Sequence, residues 1–262
     1  MGRRFAREFS RLGFEVRSTD KGEKLTKVLI GSFDLVMLSV SMKEAAKVAE
    51  SVAPFVRKSA ILFDINSLKE KVCKAMKRCK GEVLGTHPMC GPTVKSFKGQ
   101  KLIVCPIRSG PWAKKLIATF KKMGFEIEYS SPAHHDLMMA KVQALTHFTK
   151  IVLGDAWRRS GISIEDSLRF VSPIYLLELA VVGRLFAQDP GLYAEIEMDN
   201  RFAAKLRGEF LKAARSIDST LRKGDRREFN RLFLSIRKHL HGFSDQALKV
   251  SDKVVNIISR SR

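Results

Sequence analysis

The sequence predicts an α/β domain followed by an all-helical domain, and two observations carry this prediction. Up to about residue 132, short apolar runs alternate with amphipathic stretches of helical period, which is typical of β-α-β units around a largely parallel sheet. From Pro132 onward the strand-like runs stop and helical patterns follow one another. We therefore expect a doubly wound sheet in residues 1–132 and a helical domain in residues 133–262.

Turn residues separate the predicted elements, because Gly and Pro cluster where each run ends. The predicted strands are 15–19, 34–40, 60–65, 82–87, 101–107 and 125–130, and the helices among them are 3–12, 42–53, 68–79 and 111–123. The helices predicted in the second half are 133–159, 164–171, 173–187, 190–198, 200–222 and 225–258.

Composition excludes several classes of protein. The net charge of +21 raises the question of nucleic acid, but the basic residues are dispersed as singles and pairs without interleaved aromatics, so a solvated basic surface is the preferred interpretation. No apolar run approaches the ~20 residues of a membrane helix, and the amino end lacks a secretory signal. Four cysteines match neither a zinc motif nor a disulfide framework, which indicates reduced thiols in a cytoplasmic protein.

A nucleotide site is expected near the amino end. Rossmann-like sheets bind dinucleotides at the first strand-to-helix turn, with a glycine-rich loop and a later carboxylate for the ribose. Gly2 opens an amphipathic helix, and Asp20 follows it by 18 residues, about where that carboxylate would fall. Such a carboxylate would repel a 2′-phosphate and so favour NAD over NADP, although an acidic loop residue without a role is the alternative. Ser39 and Val40, at the end of the run 34–40, are the other cofactor-binding candidates.

This nucleotide site looks incomplete. The first strand and two glycines of the phosphate-binding loop are not found in the sequence. Two explanations stay open: an internal methionine taken as the start of the chain, or degeneration of the cofactor site.

Two polar residues follow predicted strands at the edge of the sheet where ligands bind. His87 lies within GTHPMCGP, and a neutral imidazole there can accept a proton or a hydrogen bond from a substrate hydroxyl. A turn histidine without a role is the alternative. Ser67 follows the run 60–65, where it either caps the next helix or orients the imidazole.

The helical half holds three further candidates. Arg184 lies in a helix that is apolar on nearly every face, and it is six residues from Glu178, so the two do not pair along the helix. Its guanidinium is suited to bidentate capture of a carboxylate, and a salt bridge to another helix is the alternative. Gln143 and His147 share one helical face, as pocket-lining or core polar residues.

No metal site is expected. His134 with His135, and His239 with His241, lack nearby cysteines or carboxylates in a ligand pattern, so we interpret these histidines as surface residues.

Five stretches together resemble the prephenate dehydrogenases, especially the bacterial tyrosine-pathway type. They are MGRRF, DINSLK, LGTHPMCGP, AHHDLMMAKVQALTHF and SPIYLLELAVVGRLFAQDPGLYAEI, in order along nearly the whole chain. The segments HPM-x-GP and GRLFAQDP are the specific ones. Cys90 departs from the pattern, since an aromatic is expected there, and Leu176 stands where an arginine is often found.

The resemblance implies NAD-dependent oxidative decarboxylation of prephenate to 4-hydroxyphenylpyruvate in tyrosine biosynthesis. It implies that His87 takes the hydroxyl proton, that Ser67 holds the other imidazole nitrogen, and that Arg184 grips a substrate carboxylate. Gln143 and His147 would line the pocket. It also implies a homodimer through the helical domain. Since the sequence stops after those helices, we expect no C-terminal regulatory domain.

Three rival functions stay open. An arogenate dehydrogenase would differ only in the substrate side chain. A non-catalytic homologue would keep the substrate pocket after losing the cofactor, and a basic nucleic-acid-binding protein is the third possibility.

Overall fold

The computed structural model describes residues 1–20, 22–23 and 26–260. It divides into two compact units, the first formed by Met1–Val142 with Ala194–Phe202 and the second by Gln143–Tyr193 with Ala203–Arg262. The first unit is an α/β sheet domain and the second is helical. The predicted fold class is confirmed.

The described residues form a five-stranded sheet in which spatial order follows chain order. Its strands are β1 (Leu35–Leu38), β2 (Ile61–Asp64), β3 (Glu82–Pro88), β4 (Lys101–Arg108) and β5 (Glu126–Tyr129). The pairs β1–β2, β2–β3 and β4–β5 are parallel, whereas β3 and β4 run antiparallel. The carboxyl ends of β1, β2 and β3 therefore meet at one edge, where ligands bind in open sheets of this kind.

Helices cover both faces of this sheet. They are α1 (Gly2–Arg11), α2 (Lys27–Gly31), α3 (Met42–Val52), α4 (Glu70–Met76), α5 (Pro111–Lys122) and α6 (Pro132–Met139). Side chains of β2 alternate between the two faces: Ile61 and Phe63 pack in a core with α1 and α5, and Leu62 packs in a core with α3 and α4. Burial of both faces explains why β2 reads as a continuous apolar run rather than an alternating one.

One predicted strand is wrong. Residues 15–19 form no strand, and their side chains are largely exposed. A strand is stable only when a neighbouring backbone accepts and donates its hydrogen bonds, and β1 pairs on one side with β2 alone among the described residues. The short helix α2 was not predicted; Thr26 caps it, since its Oγ1 accepts a hydrogen bond from the amide of Leu29 at 3.1 Å.

The remaining helices follow the predicted order with two interruptions. They are α7 (Thr146–Ser160), α8 (Ile164–Leu168), α9 (Pro173–Phe186), α10 (Pro190–Asp199), α11 (Ala203–Arg222), α12 (Arg226–Leu240) and α13 (Phe243–Arg260). A π-helical stretch, Ala140–Leu145, separates α6 from α7 within the predicted helix 133–159. The predicted helix 225–258 is two helices, because His241 adopts a left-handed φ of 48° before Gly242.

No described helix combines the length and the apolar character that crossing a bilayer requires.

Candidate functional site

His87 lies near the carboxyl end of β3 and is 5% exposed. Its Nδ1 is 3.0 Å from Nε2 of His135, a residue of α6, and the two rings meet edge to face with centroids 5.2 Å apart. No other hydrogen bond of this imidazole is found among the described residues, so Nε2 of His87 is left for a ligand. The strand thus places a buried imidazole at the edge of the sheet where a substrate would enter.

The carboxylate of Asp136 contacts the second histidine of this pair. Nδ1 of His135 is 2.7 Å from Oδ1 of Asp136. The same Oδ1 accepts a hydrogen bond from the amide of Lys69 at 2.8 Å, and Oδ2 accepts one from the amide of Glu70 at 2.9 Å. Asp136 therefore binds the amino end of α4, where orphan N–H groups and the helix dipole favour a negative charge. The side chain of Asn200 also donates to the Asp136 carbonyl at 2.8 Å.

A buried ion pair ties the ends of β2 and β3 to α4. The Lys69 ammonium bonds the carboxylate of Asp64, and both side chains are fully buried. Lys69 also donates to the carbonyl of Thr86 at 2.7 Å, one residue before His87. Burial raises the pKa of Asp64, and the neighbouring ammonium opposes that rise. This pair holds the strand that carries His87.

Both histidines are held neutral. Burial lowers the pKa of His87 well below its ordinary value, and the neighbouring His135 and Lys69 lower it further. Burial also lowers the pKa of His135, against the opposing effect of Asp136. A neutral imidazole at physiological pH is the form that accepts a proton.

The interpretation of His135 as a surface residue is wrong. His135 is 1% exposed, whereas its neighbour His134 is exposed. Asp136 and Lys69 were not predicted at all. The signal that could have identified them is helical period: His135, Asp136 and Met139 share the buried face of α6, and a histidine beside an aspartate on such a face requires polar partners.

Ser67 is partly buried in the loop between β2 and α4. The described structure contains no hydrogen bond between Ser67 and His87, because Nδ1 of His87 is bonded to His135 instead. The predicted contact between the serine and the imidazole is therefore not formed, and any catalytic role of Ser67 stays a prediction.

Three cofactor candidates surround the carboxyl end of β1. A Cβ added to Gly2 would lie 2.6 Å from Oγ of Ser39, so glycine lets α1 approach the strand end without displacing that side chain. The carbonyl of Val40 accepts a hydrogen bond from the side chain of Asn66 at 2.7 Å. No side chain caps the amino end of α1, which leaves its amides for an anion. Gly2, Ser39 and Val40 are thus brought together, and Asp20 is an exposed residue.

Two candidates of the helical unit have a buried polar atom without a hydrogen-bond partner among the described residues. They are Gln143, in the π-helical stretch, through its Oε1, and His147, in α7, through its Nδ1. The His147 ring meets the ring of Tyr193 edge to face at 4.8 Å. Burial lowers the pKa of His147. Glu178 pairs with Lys150 of α7 at 2.5 Å.

Arg184 is exposed on α9. Burial raises the pKa of Tyr193, and the charge of Arg184 opposes that rise.

Among the described residues, no cluster of three or more His, Cys, Asp or Glu side chains could hold a metal ion.

The α/β unit combines a doubly wound sheet, a close approach of α1 to the end of β1 at Gly2, and a neutral histidine at the end of β3. These features define a nucleotide-binding protein with a helical second unit. Two sequence models of one family match in tandem: the nucleotide-binding domain of prephenate dehydrogenase over residues 7–129, and its dimerization domain over residues 131–235. The chain belongs to the prephenate dehydrogenase family, a family of oxidoreductases.

Individual relatives agree with this assignment. A probable arogenate/prephenate dehydrogenase of Methanocaldococcus jannaschii is 33% identical over 97% of this chain, which spans 62% of that relative's length. The T-protein of Haemophilus influenzae is 30% identical over 97% of the chain and 68% of its own length.

Two solved structures share the fold. Prephenate dehydrogenase from Aquifex aeolicus, in complex with hydroxyphenyl propionate and NAD+, has a TM-score of 0.69 and 20% identity, with 90% of this chain and 92% of that one covered. Synechocystis arogenate dehydrogenase has a TM-score of 0.64 and 18% identity, with 85% and 82% covered.

Proposed function

We propose that this protein is an NAD-dependent prephenate dehydrogenase, which converts prephenate to 4-hydroxyphenylpyruvate and carbon dioxide. The observation that carries the proposal is His87, a neutral, buried imidazole at the carboxyl end of β3 with Nε2 unbonded. A base of this kind is what removal of the proton from a ring hydroxyl requires. Membership of the family supports the same reaction.

His87 acts as the general base. It takes the hydroxyl proton of prephenate while the hydrogen on the same ring carbon leaves as a hydride. The ring carboxylate then departs as carbon dioxide, and the ring becomes aromatic. NAD, when bound, supplies the acceptor for the hydride. Burial helps the base, since a lowered pKa keeps His87 unprotonated at neutral pH.

The cofactor is assigned to residues around the end of β1. Gly2 and Ser39 are close enough that a side chain at position 2 would fill the space between them, and the amino end of α1 suits a diphosphate. Val40 lies beside them, and Asp20 is assigned to the ribose hydroxyls, where its charge disfavours a 2′-phosphate. The solved structure of the Aquifex aeolicus enzyme, which shares this fold, contains NAD+.

Prephenate is a dianion, and the helical unit supplies groups for it. Arg184 is assigned to a substrate carboxylate because a guanidinium binds one through two parallel hydrogen bonds. Gln143 and His147 line the pocket, and their unpartnered polar atoms are available to a polar ligand. In the α/β unit, Ser67 is assigned to a supporting position beside His87. A homodimer through the helical unit and a cytoplasmic location complete the proposal; the family's name for residues 131–235, the dimerization domain, supports the former.

The test is reduction of NAD, followed at near-ultraviolet wavelength, by the purified chain with prephenate, and identification of 4-hydroxyphenylpyruvate by chromatography. Parallel assays use arogenate in place of prephenate and NADP in place of NAD. Turnover on prephenate with NAD is the expected result. Faster turnover on arogenate would reassign the substrate, and absence of turnover on both substrates would refute a dehydrogenase.

Two variants assign the roles. His87→Asn is expected to lower kcat by about 10²–10⁴-fold with little change in KM, and Arg184→Ala to raise KM. His134→Asn is the matched control, because His134 is an exposed histidine on the same helix as His135. The opposite pattern in the two variants would overturn the assignments.

A further inference from the structure

We propose that His135 and Asp136 are positioning residues that fix the tautomer of His87, so that its Nε2 carries the lone pair that acts as the base. The expected effect on kcat rests on the proposed function. The positions of the protons do not, because they depend only on which groups of the folded chain donate hydrogen bonds and which accept them.

The chain of hydrogen bonds starts at Asp136. Its Oδ1 faces the amide of Lys69 and its Oδ2 faces the amide of Glu70, and both amides can only donate. A carboxylate accepts at both oxygens, and the two amides at the amino end of α4 stabilise its negative charge. The contact of 2.7 Å between Oδ1 and His135 therefore requires a proton on Nδ1 of His135.

The hydrogen bond between His135 and His87 then determines which nitrogen of His87 carries the proton. A neutral imidazole carries one proton, and burial favours the neutral form of His135. Since that proton is on Nδ1, Nε2 of His135 can only accept. Nδ1 of His87, which is 3.0 Å away, must then be the donor. The single proton of His87 is accordingly on Nδ1, and Nε2 is bare.

A histidine outside such a chain would not adopt this state by default. In water the neutral imidazole side chain favours the other tautomer, which has its proton on Nε2 and cannot act as a base at that atom. His87 and His135 are both nearly fully buried, so no water competes for the bond between them. Burial also makes an unsatisfied ring nitrogen between the two imidazoles costly, because no water replaces the lost hydrogen bond. Thus the chain both stabilises the pair and selects the reactive tautomer.

The base faces no carboxylate of its own. The charged and titratable groups that shift its pKa are His135 and Lys69, and both disfavour the imidazolium. Asp136 is one residue further along the chain of bonds and acts on His87 through His135. This differs from a triad in which the carboxylate contacts the base directly, and it accounts for how a base can remain neutral and yet be oriented by a carboxylate.

The direct test is nitrogen NMR of the full chain labelled with ¹⁵N-histidine, because the shifts of the two ring nitrogens distinguish the tautomers. In the unaltered protein at neutral pH we expect protons on Nδ1 of both His87 and His135. His135→Phe keeps an aromatic ring but removes the acceptor, and Asp136→Asn removes the charge. In each variant we expect the His87 proton to move to Nε2. His134→Asn is expected to leave both tautomers unchanged.

The kinetic test follows from the same shift. Both variants are expected to lower kcat by about 10²–10⁴-fold, the range for loss of a general base, while KM for prephenate changes little. Circular dichroism checks that each variant is folded, and His135→Asn replaces His135→Phe if the latter does not fold. A proton on Nε2 of His87 in the unaltered protein, or variants that keep the Nδ1 tautomer or the full kcat, would overturn the inference. Correct tautomers without turnover on either substrate would instead refute the proposed function alone.

Discussion

Replacing Lys69 by methionine is expected to destabilise the α/β unit strongly. Lys69 and Asp64 form a pair in which both side chains are fully buried. Methionine fills a similar volume but carries no charge, so the variant leaves the carboxylate of Asp64 without its ammonium in a site that excludes water. The Thr86 carbonyl also loses the hydrogen bond that Lys69 donates at 2.7 Å.

The size of the effect follows from this burial. Breaking a buried ion pair by removing one partner costs about 3–5 kcal/mol. Two backbone amides, of Asn66 and Thr86, still donate to Asp64, which favours the lower end of that range. For a unit of this size, a loss of about 3–5 kcal/mol corresponds to a fall in Tm of about 6–20 °C.

The measurement is unfolding of the α/β unit by denaturant. Trp112 lies in α5 of the α/β unit and Trp157 in α7 of the helical unit, so a Trp157→Phe background leaves one fluorescent probe in the unit of interest. Lys71→Met is the matched control, since Lys71 lies on the same helix and is 74% exposed. The double variant Asp64→Asn/Lys69→Met removes both charges and should regain at least half of the loss.

The pH dependence supplies a second check. Burial raises the pKa of Asp64, and without the ammonium the backbone amides of Asn66 and Thr86 are left to oppose the rise. The folded Lys69→Met variant thus binds a proton more readily than the unfolded chain, so its stability is greatest below the ordinary aspartate pKa of about 3.9 and is lost as pH rises through the folded-state pKa. The loss in free energy of unfolding, relative to the unaltered protein, should therefore be larger at pH 8 than at pH 5. A loss below about 1 kcal/mol, or a deficit independent of pH, would refute this reasoning.

Two further predictions concern other parts of the chain. Arg4 donates to the carbonyls of Pro92, Val94 and Lys95 and lies over the ring of Phe97, so Arg4→Ala should lower the free energy of unfolding by about 2 kcal/mol and speed tryptic cleavage after Lys95, whereas the exposed neighbour Arg3→Ala should do neither. His147→Leu removes a buried nitrogen that has no partner, so calorimetry should show the helical unit more stable by about 1 kcal/mol. The same variant should raise KM for prephenate about tenfold, the worth of one hydrogen bond of about 1.4 kcal/mol. An unchanged KM would remove His147 from the substrate pocket.

Much of the fold could be predicted because local patterns agree with the tertiary structure. Five of the predicted strands occur, and the central strands β2 and β3 contribute buried apolar side chains to the cores on both faces of the sheet. The prediction of a strand at 15–19 was wrong because β propensity is a local property, whereas a strand also needs a neighbouring strand to complete its backbone hydrogen bonds. The break between α12 and α13 was missed because a left-handed φ at a histidine has no clear sequence signal.

The candidate site divides in the same way. His87 was identified from its place after a strand and its Gly- and Pro-rich loop, and β3 carries it to the expected edge of the sheet. Its partners were not identified, because His135 is 48 residues away in the sequence. Sequence spacing indicated the carboxyl end of a strand for Ser67 but could not show that His135 would take the nitrogen assigned to that serine.

The sequence by itself determined the order of most elements, the change from strands to helices at Pro132 and the family, because these depend on periodicity and on short local motifs. The first compact unit nevertheless extends to Val142 and includes Ala194–Phe202, so the predicted division of the chain at 132 differs from the structure. Only the tertiary structure decided how β4 pairs with β3, which histidine is buried, and which donors face Asp136. The physical reason is that hydrogen bonding and burial join residues far apart in the chain. The protonation state of a buried imidazole depends on those distant partners, and no local pattern encodes it.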